Sequence, residues 1–195
     1  MRADHAVAPP HSRPDGGAAR ALRRLNAPLP AALKRSFPPI VGAHPRVLVL
    51  GTLPGEVSLR QVQYYAHPRN LFWPIVFALF GETPPPDYAA RLDFATSRGI
   101  ALWDVVAAGQ RHASADATIR GEMPNAIDEL LDSHPGIRAV AFNGSGAQRL
   151  HDRYLKRRPA LTYLALPSTS PAHARLRFAD KLAHWLPLKD AISGN

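Results

Sequence analysis

The sequence has no cysteine among its 195 residues. This absence excludes disulfide bonds, thiol nucleophiles, thiolate zinc sites and cysteine-bound iron–sulfur clusters. Nine histidines are present, but none form an H-x-x-x-H pair or a similar metal-binding spacing. A Walker loop, a G-x-G-x-x-G turn and a G-x-S-x-G elbow are also missing. We therefore expect neither a metal ion nor a cofactor.

Long apolar runs are also lacking. No stretch approaches the roughly 20 residues that a transmembrane helix needs, and the first residues have no continuous apolar core of the kind found in signal peptides. We expect a cytoplasmic protein with no membrane partner. The hydrophobic content of 46% and the chain length suffice for one domain with a substantial core.

Positive charge is concentrated at the start of the chain. The formal net charge is +9, and residues 1–46 hold eight Lys/Arg against two acidic residues. A basic balance indicates a polyanionic partner, although a cationic tail that merely stays solvated fits the charge equally well. We predict a basic Pro/Ala-rich extension over residues 1–40, partly disordered apart from a short helix over 18–26. The folded domain is predicted over residues 41–195.

From residue 46 onward, short apolar strands alternate with helical patterns. Strands are predicted over 47–50, 100–103, 138–142 and 161–166. Helices are predicted over 70–80 with an interruption at Pro74, and over 87–97, 125–133, 145–158 and 174–186. This alternation predicts an α/β fold with a four-stranded parallel sheet and helices on both faces.

A polar group follows each predicted strand. Gly51 and Thr52 follow the first strand, Asp104 the second, Asn143 the third and Ser168 the fourth. Because the carboxyl ends of parallel strands meet at one edge of the sheet, these groups are expected to lie together. Open α/β proteins bind their ligands at such an edge.

Two loops carry most of the chemistry. Residues 64–70 hold two tyrosines, a histidine, an arginine and an asparagine outside any periodic pattern. This segment fits a binding loop, but also a helix start capped by Asn70. Residues 168–170 place three hydroxyls between prolines, which suits phosphate binding or a simple Ser/Thr turn. His173 and Arg175 add positive charge just downstream.

Two segments carry a family resemblance. GTLPGEVSLRQVQYYAHPRNLFW and LPSTSPAHA resemble the first and second motifs of the hypoxanthine-DNA glycosylases (DNA-deoxyinosine glycosylases), a branch of the uracil-DNA glycosylase superfamily. GIALWDVVAAGQRHASADATIRGEMPN and AVAFNGSGA are also similar to this branch, and the resemblance covers roughly residues 40–188. It implies a three-layer α/β sandwich around a four-stranded parallel sheet. It also implies a monofunctional DNA glycosylase, a repair enzyme that hydrolyses the N-glycosidic bond of a damaged base.

The resemblance also implies roles for individual residues. Asn70 would hold the attacking water, and Tyr65 would stack on the base after it has flipped out of the duplex. Together with Tyr65, the expected base-binding residues are Thr52, Leu53, Pro54, Gly55, Asp104 and Asn143. The expected DNA-binding residues are His67, Ser168, Thr169, Ser170, His173 and Arg175.

Two departures from the superfamily bear on the substrate. Thr52 and Leu53 stand where uracil glycosylases place an Asp or Asn, and Leu166 stands where the superfamily often has a His. Hypoxanthine is therefore the expected base. The expected partner is DNA containing deaminated bases, bound by a monomer that associates with the bacterial nucleoid while acting.

Three alternatives stay open. The first is a glycosylase for uracil or a broad range of deaminated bases. The second is a non-catalytic module that binds damaged DNA. The third is an enzyme that acts on free nucleosides, which the lack of a carboxylate cluster for ribose or metal disfavours.

Overall fold

A computed structural model describes residues 33–110 and 120–194. Most of the predicted N-terminal extension, including its helix over 18–26, lies outside the described residues, so the division at residue 40 stays a prediction. Residues 33–35 do form a strand, which pairs with a neighbouring strand over Ala108, Gly109 and Gln110.

The described residues form seven strands and six helices. The strands are β1 (Leu33–Arg35), β2 (Val47–Gly51), β3 (Ile100–Asp104), β4 (Val106–Gln110), β5 (Arg120–Pro124), β6 (Ala139–Asn143) and β7 (Thr162–Leu166). The helices are α1 (Glu56–Gln61), α2 (Phe72–Ala78), α3 (Tyr88–Ser97), α4 (Ile127–Ser133), α5 (Ser145–Tyr154) and α6 (Phe178–Ser193), with a 3₁₀ turn over Pro171–His173.

The central sheet is parallel and has the strand order β3-β2-β6-β7. Every residue of β2, β3 and β6 is buried, which explains their nearly continuous apolar sequences. The prediction of a four-stranded parallel sheet is confirmed, and the four predicted strands match these four within a few residues at each end.

Alternate residues of β2 point to opposite faces of the sheet and separate two apolar cores. Val47 and Val49 pack in a core with residues of α2, α3 and α6. Leu48 and Leu50 pack in a second core with residues of α4 and α5. Since a strand alternates its side chains between the two faces of a sheet, these two cores lie on opposite sides of the central sheet, and helices cover both. The predicted three-layer α/β sandwich is confirmed.

The strand order puts a crevice at the carboxyl edge of the sheet. After β2 the chain adds β3 on one side and then returns to add β6 on the other. Such a reversal of direction opens a crevice between the two strands that flank it, here β2 and β6. The register brings Gly51 beside Asp104 and Asn143 beside Leu166 at this edge.

A second, antiparallel sheet was not predicted. Its strand order is β1-β4-β5, and its central strand β4 comes directly after β3 in the chain. The sequences LKR, VAAGQ and RGEMP contain Gly, Ala, Lys, Glu and Pro, which are depleted in strands. Cross-strand pairing and the burial of Val106 and Ala108 hold these strands in place despite their composition.

Several predicted helices have different bounds. Pro74 does not interrupt α2, because it lies in the first turn of this helix, where the missing N–H has no intrahelical acceptor to lose. The last helix begins at Phe178 rather than at residue 174, and α5 ends at Tyr154 rather than at residue 158. The short α1 was not predicted. Within the described ranges, no helix is long and apolar enough to cross a membrane.

Candidate active site

A cavity of about 460 Å³ opens at the carboxyl edge of the central sheet, within the size range of small-molecule sites. Its walls come from the loops after β2, β3, β6 and β7. The predicted site residues that line it are Thr52, Leu53, Pro54, Gly55, Tyr65, His67, Asn70, Asp104, Asn143, Ser168, Thr169, Ser170 and His173. Arg175 is exposed and lies outside the lining.

Gly51 forms the floor of the cavity and has to be small. A Cβ atom at this position would lie 2.5 Å from Asp104 Oδ1 and 3.4 Å from the Tyr65 hydroxyl oxygen. The first of these distances is far below van der Waals contact. Glycine therefore allows a carboxyl group and a phenol to approach the end of β2 together.

Tyr65 presents an aromatic ring to the cavity on a rigid support. Its ring stacks on Phe72 with the centroids 3.8 Å apart and the planes 21° from parallel. Phe72 is fully buried and makes edge contacts with Trp73 and Trp185. Tyr65 also has a left-handed backbone, with φ at 57°, which is uncommon for a bulky residue. Such conformations cluster at functional sites.

Asn70 lines the same cavity as Tyr65. Its side-chain Oδ1 accepts a hydrogen bond from the Phe72 backbone N–H at 2.9 Å, and the Asn70 backbone N–H donates to the His67 carbonyl at 2.8 Å. The first bond is an Asx turn that leads the chain into α2. The Nδ2 group makes no hydrogen bond to another residue in the described parts of the chain. The side chain therefore supports a helix start and also faces the cavity.

Asp104 brings a buried carboxyl group to the cavity, with 4% of the residue exposed. Its Oδ2 accepts a hydrogen bond from Ser36 Oγ at 2.9 Å, and its backbone carbonyl accepts one from Asn125 Nδ2 at 2.8 Å. Neither Ser36 nor Asn125 was predicted as a site residue. Both fix the position of Asp104 from distant parts of the sequence.

Tyr64 adds a buried phenol beside this carboxyl group. Burial raises the pKa of Tyr64, and the nearby charge of Asp104 raises it further. Its hydroxyl donates to the Phe37 carbonyl at 3.3 Å. Tyr64 is therefore a neutral hydrogen-bond donor in the wall of the cavity at any physiological pH.

Asn143 uses its side-chain amide to hold the loop after β7. Its Oδ1 accepts from the Thr169 backbone N–H at 2.9 Å, and its Nδ2 donates to Thr169 Oγ1 at 2.9 Å. Asn143 is 8% exposed and Thr169 is fully buried. These contacts make Asn143 a link between β6 and the loop, in addition to its place in the cavity wall.

The loop over residues 167–173 is also fixed by its own hydroxyls and by α6. Ser168 Oγ accepts from the Ser170 amide at 3.2 Å, and Trp185 Nε1 donates to the Pro167 carbonyl at 3.0 Å. The Leu71 amide donates to the Thr169 carbonyl at 3.0 Å. This last bond joins the loop to the segment that carries Asn70.

Sequence reasoning missed part of the cavity wall. Ser145, Gly146 and Arg149 line it from α5, and Arg149 donates to Ser145 Oγ at 3.0 Å. Glu56 lines it from α1 and forms an ion pair with Lys34 of β1. The α5 residues follow Gly144, and Glu56 follows Gly55, and both glycines lie in turns that follow a strand of the central sheet. This placement was the sequence feature that could have identified them as part of the cavity wall.

Metal ligands do not cluster in the described ranges. Among residues 33–110 and 120–194, no group of three or more His, Asp or Glu side chains is placed to hold a metal ion.

A family comparison assigns this architecture. Residues 38–189 match the uracil DNA glycosylase superfamily. The chain belongs to this superfamily. The family expected from the two sequence motifs is therefore confirmed.

Individual relatives agree with this assignment. A hypoxanthine DNA glycosylase of Methanosarcina barkeri is 40% identical over 112 residues, which is 57% of this chain and 71% of the relative. A hypoxanthine DNA glycosylase of Methanosarcina acetivorans is 35% identical over 144 residues, or 73% of this chain and 90% of the relative. A solution NMR structure of a candidate uracil DNA glycosylase from Methanosarcina acetivorans superimposes with a TM-score of 0.70 at 31% identity. It covers 83% of this chain and 99% of that chain.

Proposed function

We propose that this protein is a DNA repair glycosylase that excises deaminated bases, with hypoxanthine as the main substrate. Two relatives, matched over 71% and 90% of their own length, bear the name hypoxanthine DNA glycosylase. The observation that carries the proposal is the shared position of Asn70 and Tyr65 in one cavity, beside the loop over residues 167–173. This arrangement offers a water-holding amide and a stacking ring within reach of one flipped nucleotide.

The substrate base reaches the cavity by flipping out of the duplex, because stacking shields its glycosidic bond. Flipping costs a few kcal/mol, and less for a mispaired base. Hypoxanthine arises from adenine and pairs poorly with thymine, so it leaves the stack more readily than a normal base. This difference contributes to selection before any contact with the cavity.

Tyr65 receives the flipped base. Phe72 covers one face of the Tyr65 ring, and the base stacks on the other. Stacking of a base on an aromatic side chain is worth about 1–3 kcal/mol. The packing of Phe72 against Trp185 fixes the ring before the base arrives, so little conformational freedom is lost on capture.

Asn70 orients the attacking water. A carboxamide does not accept a proton near neutral pH, so it cannot act as a strong base. The bond between the sugar C1′ and the base nitrogen therefore breaks largely before water attacks, and its electron pair leaves with the base. Water then adds to the oxocarbenium-like sugar, and its proton passes to solvent or to the departing base. Positioning supplies most of the rate enhancement.

The cavity floor distinguishes hypoxanthine from adenine. Hypoxanthine presents an N1–H donor, which Asp104 accepts, whereas adenine has no N1–H. Because Ser36 and Asn125 hold Asp104, the carboxyl group is fixed where it accepts this N1–H. A base without the donor does not form that bond, and a site built to hydrogen-bond its substrate discriminates in this way. Backbone N–H groups of the turn over residues 52–55 stabilise the departing base as negative charge develops on it.

The DNA backbone lies across the loop over residues 167–173. Ser168 and Ser170 line the cavity, and their hydroxyls hold the phosphates near the flipped nucleotide. His67, His173 and Arg175 add contacts at the rim. Phosphate contacts fix the register of the protein on DNA, while the cavity selects the base.

A panel of oligonucleotides tests this function. Duplexes containing hypoxanthine, xanthine, uracil or adenine are incubated with the protein, and abasic sites are cleaved with alkali. We expect hypoxanthine to be released fastest and adenine not at all. Failure to release any base would contradict a glycosylase, and faster release of uracil would favour the uracil activity for which the NMR neighbour is named. We further expect a cytoplasmic monomer that needs no metal or cofactor.

A further inference from the structure

The last helix places a buried lysine behind the loop over residues 167–173. Lys181 is 2% exposed. Its Nζ donates to the Ser168 carbonyl at 2.7 Å and to the His173 carbonyl at 2.9 Å. In the described part of the chain, no acidic side chain forms a salt bridge with it.

A buried ammonium group without an acidic partner opposes folding. Transfer of an unpaired charge out of water is costly, and burial lowers the pKa of Lys181 accordingly. A methionine would fill most of the same space without this cost. The charge at this position therefore calls for a role beyond packing.

The geometry of the loop supplies such a role. A loop that receives an anion must turn its carbonyl oxygens away from the anion, because they carry partial negative charge. Lys181 holds two of these carbonyls at the rear, while Ser168 and His173 line the cavity at the front.

We propose that Lys181 is a positioning residue that holds the loop over residues 167–173 with its carbonyls turned inward and places a buried positive charge behind the DNA phosphate that the loop receives. The proposal rests on the proposed function for the identity of this anion. It assigns to α6 a part in DNA binding, although Lys181 itself does not line the cavity.

Binding to a DNA that contains no excisable base tests the charge. The variant Lys181→Met keeps an unbranched side chain as far as the Cε position and removes the ammonium group, and Lys189→Met removes the same charge from an exposed position of α6. The probe is a duplex with a tetrahydrofuran abasic site, followed by fluorescence anisotropy. We expect Kd to rise about tenfold for Lys181→Met, equal to about 1.4 kcal/mol, and to change less than about twofold for Lys189→Met.

Single-turnover excision of hypoxanthine provides the second readout. At saturating protein, the excision rate of Lys181→Met is expected to fall much less than its affinity. Equal Kd values for the two variants would overturn the proposal, as would an excision rate that falls while Kd is unchanged. Absence of excision in the wild-type protein would instead refute the proposed function, and binding to the abasic duplex would still report on Lys181.

Chemical rescue separates charge from shape. Because the chain has no cysteine, Lys181→Cys introduces one unique thiol. Alkylation in denaturant with 2-bromoethylamine, followed by refolding, restores a lysine-like ammonium, and 1-bromopropane gives a neutral side chain of the same length. We expect the aminoethyl form alone to recover wild-type affinity for the abasic duplex. Equal recovery by both forms would rule out the role of the charge.

Discussion

Replacing Asn143 by alanine removes the side-chain link between β6 and the loop that follows β7. The wild-type amide accepts from the Thr169 N–H and donates to Thr169 Oγ1, both at 2.9 Å. Thr169 is fully buried in the wild-type protein, so its N–H and hydroxyl depend on Asn143 rather than on bulk water. The loop must either keep two unsatisfied polar groups or rearrange.

The size of the effect follows from these two bonds. A buried polar group that loses its partner costs about 1–3 kcal/mol. The Thr169 hydroxyl loses a donor and can rotate, whereas the backbone N–H loses its acceptor and has a fixed direction. We therefore expect Asn143→Ala to lower the free energy of unfolding by about 2–4 kcal/mol. Because Thr169 also accepts from the Leu71 amide, next to Asn70, the excision rate should fall as well.

Urea unfolding, followed by circular dichroism, measures the change in stability. The variant Thr169→Val removes the hydroxyl and keeps the shape, so a double-mutant cycle isolates the bond between Asn143 Nδ2 and Thr169 Oγ1. We expect a coupling energy of about 1 kcal/mol. Additive effects of the two substitutions, or a loss below about 0.5 kcal/mol for Asn143→Ala, would refute this account of the loop.

Substitutions at three further positions test separate parts of the site. Tyr65→Ala should weaken capture of the flipped base by about tenfold or more, which single-turnover excision would show as a higher half-saturating protein concentration. Tyr65→Phe should retain capture, and equal behaviour of the two variants would exclude stacking. Wild-type stability should fall as pH rises above about 10, by up to about 1.4 kcal/mol per pH unit, because the raised pKa of Tyr64 keeps the folded phenol protonated while the unfolded one ionises. Tyr64→Phe should lose less stability in urea titrations over this range, and equal losses would contradict the burial of that phenol. Gly51→Ala should displace the Asp104 carboxyl group and lower the rate of hypoxanthine excision by about 10²-fold, while the circular dichroism spectrum stays unchanged. A wild-type rate would show that this carboxyl group is dispensable.

The central sheet was predictable because its strands are buried on both faces. Burial on both sides produces short, continuous apolar runs, such as VLVLG in β2 and AVAFN in β6, which are bounded by turn residues. The polar residues at the ends of these runs were therefore predictable as neighbours. Gly51 and Asp104 do lie side by side in the register of β2 and β3.

The antiparallel sheet could not be predicted in the same way. Its strands have weak strand propensities and are held by pairing with distant segments: Leu33 pairs with Gln110, and Ala108 with Met123. Such pairing depends on tertiary contacts, which override local propensity. No local periodicity marks β4 or β5.

The supporting residues of the site were hidden for a similar reason. Ser36 contacts Asp104 across 68 positions in the sequence, and Lys181 contacts Ser168 across 13. Motifs show which side chains face a ligand, but they do not show which distant groups hold those side chains. The role of Asn143 as a link to Thr169 likewise became visible through the hydrogen bonds between them.

The account depends most on Asn70, whose side chain has two roles that must be separated. Its Oδ1 accepts from the Phe72 amide, so Asn70→Ala removes both the turn before α2 and the water-holding group. Asn70→Ser keeps an oxygen that can accept from the same amide and removes the carboxamide. The serine variant is therefore the sharper test of catalysis.

The decisive measurement is the single-turnover rate of hypoxanthine release by Asn70→Ser on a deoxyinosine duplex, alongside its stability and its affinity for the same DNA. The account predicts stability and affinity close to those of the wild type and a rate lower by about 10²-fold or more. A wild-type rate in this variant would contradict the claim that the Asn70 amide positions the attacking water.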